Sequence, residues 1–169
     1  MKRFSSATIV ALAVLAVLGL AGPVAAGDPV PFKGTLEGDV TVTGAPPILS
    51  VLVEGAGTAT HLGRFTVDIP HLVDVRTRTA AGSYEFTAAN GDTLTAHFTG
   101  TATPTATPGV LYIEETATIT GGTGRFAGAT GSFTVERLYD TVAGTTTGSF
   151  EGTISASFEG TISASGDDD

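Results

Sequence analysis

From residue 30 onward, apolar and polar side chains alternate, and the alternation restarts after each short break. Phe32, Leu36, Val40 and Val42 share one parity; Lys33, Thr35, Glu37, Asp39 and Thr41 share the other. Leu49, Val51 and Val53 oppose Ser50 and Glu54, and Phe65, Val67 and Ile69 oppose Arg64, Thr66 and Asp68. Tyr84 and Phe86 form the next apolar set, followed by Leu94, Ala96 and Phe98. Leu111, Ile113, Ala117 and Ile119 come next, then Phe133 and Val135, then Phe150, Ile154 and Ala156. A period of two is that of a strand with one face in the core and one in water. The pattern predicts an all-β fold of about eight antiparallel strands over residues 27–164, with no helix among them.

The breaks have local causes. Ala45, Pro46 and Pro47 cannot extend a ladder, because proline has no N–H to donate. Asn90-Gly91 lies between two alternating runs, the strongest short hairpin signal. Thr120 to Gly124 and Ala143-Gly144 read as further turns. The TATP doublet at Thr101 to Pro108 reads as an extended loop. SFEGTISA at 149–156 is repeated unchanged at 157–164. Eight is an even number, so both copies present Phe and Ile on the same face, and one copy suffices to close the fold.

A Phe-x-Gly-Thr unit recurs at Phe32, Phe98, Phe150 and Phe158. Phe and Gly two apart share a face. A ring covering a bare backbone lets a sheet coil tightly, which favours a closed up-and-down barrel over a sandwich.

Residues 119–136, ITGGTGRFAGATGSFTVE, resemble the signature hairpin of the allene oxide cyclase and dirigent superfamily. The residues carrying the likeness are Gly121, Gly122, Gly124, Arg125, Phe126, Gly128 and Gly131. They cover about one tenth of the chain, late in the sequence as in that family. The resemblance implies an eight-stranded barrel with an interior ligand cavity, nearest to bacterial secreted relatives. The family's catalytic residues find no counterparts here outside this segment. On physical grounds the hairpin is structural: its glycines permit a tight connection, and Arg125 is expected to reach a carboxylate or carbonyl across the turn. Phe126 and Phe133 are seven apart, so both reach the core only if a bulge falls within Gly128 to Gly131. No helix follows the glycines, which excludes a dinucleotide fingerprint.

Residues 1–26 predict a cleaved export signal. Lys2 and Arg3 precede an apolar run from Ile9 to Leu20, and Val24-Ala25-Ala26 fits the small-x-small cleavage rule. Export places the protein outside the cytoplasm, secreted or periplasmic. The chain has no cysteine, so neither a disulfide frame nor a lipoprotein anchor is available. Removing the leader takes two of the eight Lys and Arg and none of the seventeen Asp and Glu, which leaves a formal charge of −11. That charge disfavours nucleic acid and anionic membranes as partners. Asp167, Asp168 and Asp169 read as the end of a solvated acidic tail over 165–169.

Glu115 stands out as the candidate catalytic residue. It shares parity with Ile113 and Ala117, which would point it into the apolar interior, where a carboxylate would have a raised pKa; the alternative is a place at the barrel mouth, or a bulge at Glu114-Glu115 that flips one of the two outward. His71 shares parity with Ile69 but directly follows Pro70, which suggests a position near a strand end. The ligand-lining candidates are Phe65, His71, Tyr84, Phe86, Phe98, Ile113 and Glu115. Three scattered histidines give no zinc spacing, and no metal or cofactor is expected. The leading reading is an exported, non-catalytic barrel binding a small apolar molecule. The alternatives are a cyclase or isomerase acting through Glu115, a surface adhesion module, and a membrane barrel with its apolar face turned to lipid.

Overall fold

The structure, a computed structural model, describes residues 27–156. The expected leader at 1–26, the second repeat copy at 157–164 and the aspartate tail lie outside the described residues. Eight strands follow one another: β1 (Val30–Ala45), β2 (Ile48–Ala59), β3 (Gly63–Asp74), β4 (Thr79–Ala88), β5 (Thr93–Pro104), β6 (Val110–Gly122), β7 (Thr130–Asp140) and β8 (Thr145–Ser155). Each pairs antiparallel with the next, and β1 pairs with β8, so the sheet closes into a barrel. Closure leaves no edge strand exposed to pairing with other chains. The first copy of the repeat supplies the end of β8: Phe150 pairs with Gly34 and Ile154 with Val30.

The apolar parity of every strand turns inward. Phe32, Phe65, Tyr84, Phe86, Phe98, Phe133 and Phe150 pack against one another inside one half of the barrel, with ring centroids 5.0–6.3 Å apart. Edge-to-face geometry recurs among them, for example Phe65 on Phe86 at 83°. Most outward positions carry Thr, Ser, Asp or Glu, with Ile48, Leu72 and Leu138 among the large apolar exceptions.

Inward glycines work differently from the expectation. The side chain that covers Gly34, Gly100 or Gly152 comes from the neighbouring strand, not from the phenylalanine two residues away. A Cβ on Gly34 would lie 2.7 Å from Phe150, one on Gly57 2.7 Å from Phe65, and one on Gly152 2.7 Å from the Phe133 Cβ. A bulky residue thus faces a bare backbone across the ladder.

Three further expectations are corrected. Thr101 to Pro104 belong to β5, paired with Glu114 to Leu111, because β6 extends far enough to meet them. The β6–β7 connection contains a short 3-10 helix, Gly124–Phe126, instead of a bulge within Gly128 to Gly131. That helix turns Phe126 into the barrel, so Phe126 and Phe133 need no shared strand. The irregularity lies in β6, where Thr120 is skipped between Ala96↔Ile119 and Thr95↔Gly121.

The ends of the barrel differ. At one end Leu62, Phe126 and Ala129 are buried and plug the interior. The other end is bounded by the β1–β2, β3–β4, β5–β6 and β7–β8 turns and opens into a cavity.

Candidate functional site

His71, Glu115 and Arg137 point into the barrel, on β3, β6 and β7. Each faces a glycine on a neighbouring strand: His71 pairs with Gly82, Glu115 with Gly100, and Arg137 with Gly148. The absence of a side chain opposite is what admits them. A Cβ on Gly100 would lie 2.5 Å from the Glu115 Cγ, and one on Gly148 2.6 Å from the Arg137 Cγ. His71 stands within β3, near the strand's end at Asp74. The ladder to β4 skips Ile69 and Pro70 and resumes in unchanged register at His71, so the proline interrupts hydrogen bonding without ending the strand.

Glu115 and Arg137 are 3% and 4% exposed. Ile113 pairs with Arg137 and Glu115 with Val135, so the two charges are diagonal neighbours across β6 and β7. Arg137 donates from Nη2 to Glu115 Oε1 at 2.5 Å and from Nε to Glu115 Oε2 at 3.1 Å. The Tyr84 hydroxyl donates to Glu115 Oε2. The carboxylate is therefore not isolated. Both of its oxygens are engaged, and bidentate pairing is the strong form of this contact.

Burial and the adjacent Glu115 charge push the Tyr84 hydroxyl well above its ordinary value, so it remains a donor. Burial, the largest influence, disfavours the Arg137 charge, but the Glu115 carboxylate, Tyr84 and the hydrogen bond to Glu115 together hold the guanidinium above its ordinary value. Burial pushes the His71 imidazole down; its hydrogen bond to Ile69 opposes the shift, and the Arg137 charge adds to it. His71 Nδ1 lies 2.8 Å from the Ile69 carbonyl oxygen, which can only accept. In the neutral ring Nδ1 thus carries the proton, and Nε2 is left as an acceptor.

This cluster forms the floor of a cavity of about 310 Å³ in the open half of the barrel. The walls are aliphatic: Val40, Val51, Val53, Val73, Leu111 and Ile113 contribute most of them. Of the residues singled out from the sequence, His71, Ile113 and Glu115 line this space. Phe65, Tyr84, Phe86 and Phe98 do not. They fill the plugged half with one another, and only the Tyr84 hydroxyl reaches the cluster. Arg137 was missed by the sequence reading. It shares parity with Phe133 and Val135, and that inward charge was the available signal.

The glycine hairpin lies at the plugged end, remote from the cavity. Gly124 has φ +56, and a side chain there would collide with the Asp92 carboxylate. Arg125 stacks over Phe126 at 5.1 Å, donates from Nη2 to the Leu62 carbonyl at 3.3 Å, and lies 3.6 Å from the Asp92 carboxylate. Gly121, Gly128 and Gly131 also take positive φ; Gly122 does not, and packs closely on the Phe126 Cβ.

Among the described residues no group of three or more His, Cys, Asp or Glu is arranged to hold a metal, and no helix is long and apolar enough to cross a membrane. No protein-family model and no curated protein sequence matches the chain. A pterocarpan synthase dirigent protein of known structure is similar in fold, with a TM-score of 0.52 and 14% identity. The alignment covers 89% of this chain and 99% of that one.

Proposed function

We propose that this protein is an exported relative of the dirigent-type barrels that holds one small, largely apolar molecule in the open half of its interior, without transforming it. The carrying observation is the cavity of about 310 Å³, with aliphatic walls above a floor of His71, Glu115 and Arg137. Its volume falls at the low end of the ~300–1,000 Å³ usual for small-molecule sites. A few polar groups at the bottom of an apolar cup are what orients such a ligand.

The test is a fluorescence titration of the chain lacking its leader with neutral phenylnaphthylamine, which brightens in apolar surroundings. Saturable one-to-one binding is expected. Ala80→Leu, which fills the cavity from β4, is expected to abolish it without lowering the thermal midpoint. Absence of saturable binding to the unaltered protein would overturn the reading.

A second reading, turnover by a cyclase- or isomerase-like reaction, is favoured by one observation. His71 lines the cavity beside Arg137 with its neutral form favoured, which suits it to accept a proton. Glu115 suits that role less, because both oxygens already accept hydrogen bonds. A molecule co-purifying with the protein should be converted on incubation and spared by His71→Gln if this reading holds.

A further inference from the structure

We propose that Arg78 selects the ligand: the molecule held in the barrel is an amphiphilic anion, its apolar body in the cavity and its acidic head group at the mouth against the Arg78 guanidinium. The inference rests on the ligand-binding reading above and adds the ligand's charge and orientation.

Two cations line the cavity, Arg137 at the floor and Arg78 at the mouth. Arg137 is neutralised by Glu115. Among the described residues the Arg78 guanidinium has no ion pair and no hydrogen bond. The acidic groups near that end are already committed. Asp74 pairs with Arg76 at 3.1 Å, and Asp140 accepts the backbone N–H groups of Val142 and Ala143 at 2.9 Å each. Arg78 is therefore the cavity-lining cation that no carboxylate pairs with among the described residues, and it stands beside an apolar space.

The backbone at this position gives a second, independent observation. Arg78 sits in the β3–β4 turn with φ +58, the left-handed region that favours glycine or asparagine. Its N–H donates to the Asp74 carbonyl at 2.8 Å, and its carbonyl accepts from Ala102 at 3.0 Å. The turn needs the conformation but not the side chain. A non-glycine residue held at a local energetic cost beside a cavity points to recognition.

The rim is consistent with an apolar visitor. Val42, Ile48, Leu72, Val75, Leu138 and Val142 are the exposed large hydrophobic residues among those described, and all lie in the open half. The acidic outer wall works against an anion, but at physiological ionic strength charges separated by more than about 8 Å are largely screened.

A matched pair of dyes provides the test: anilinonaphthalene sulfonate and phenylnaphthylamine have the same apolar body, with and without the anionic group. Arg78→Gly should weaken sulfonate binding about fivefold, as for a partly exposed ion pair, while leaving neutral dye binding unchanged. Its thermal midpoint should hold or rise, because glycine accepts the positive φ. Should Arg78→Gly fail to fold, Arg78→Asn carries the same comparison. An equal effect on both dyes, or on neither, overturns the inference while the cavity reading stands. Failure of the unaltered protein to bind either dye overturns both.

Discussion

Glu115 and Arg137 are nearly free of solvent, so each depends on the other for the charge it carries. Removing one partner strands the other, which typically costs about 3–5 kcal/mol. Arg137→Met should show a loss of this size in urea unfolding. The double variant Arg137→Met with Glu115→Leu should be less destabilised than Arg137→Met alone, because no orphaned charge remains; additive losses would mean the pair is not coupled. His71 makes a separate prediction about pH. Its folded pKa is depressed by burial, so protonation favours the unfolded chain. The stability it contributes is present above the unfolded value near 6.5 and is lost as pH falls through the lower folded value. Arg137, Glu115 and the Ile69 carbonyl are the groups facing it. His71→Gln should flatten the acid side of the stability profile, read as denaturation midpoints across pH 4–8.

Between strands, the recurring device is a large or charged inward residue set against a glycine on its neighbour. Gly148→Ala would place a methyl 2.6 Å from the Arg137 Cγ and 2.9 Å from its Cα. The backbone on either side cannot yield, so the guanidinium must shift. Overpacking of this kind costs about 1–3 kcal/mol, and ligand affinity should fall with stability. On the outer wall the same ladders align carboxylates: Asp39 faces Glu54, Glu54 faces Asp68, and Asp68 faces Glu85. Like charges directly opposite are destabilising by roughly 0.2–1 kcal/mol per pair. Glu54→Gln removes two such contacts and should raise the thermal midpoint, with the gain shrinking in high salt. An unchanged midpoint at low salt would show that the row is already fully screened.

Considered whole, the barrel is polar along its axis as well as across its wall. The plugged end carries the glycine hairpin, the 3-10 helix and the first and last described residues. The other end carries the cavity, the free Arg78 and the exposed apolar rim. Because β1 pairs with β8, ladder hydrogen bonds close the barrel wall, not the turns at the mouth. The resemblance-bearing segment thus lies at the plugged end, while the ionisable cluster lies half a barrel away, in residues that no short motif marks.

Period-two alternation settled the class of fold and the face each strand buries, because side-chain direction in a strand depends only on parity. Val51, Phe65 and Glu115 were assignable to the interior on that ground alone, and with the Phe-x-Gly-Thr units the closed eight-stranded barrel was legible too. Parity says which face a side chain takes but not what stands opposite, since that is set by register between strands far apart in the chain. Register brought Arg137 onto Glu115, put Gly100 and Gly148 beneath them, and turned a lone inward carboxylate into an ion pair. The division of the interior into an aromatic half and an aliphatic half was likewise decided by tertiary structure, through the lengths of the strands and the end to which each side chain was carried.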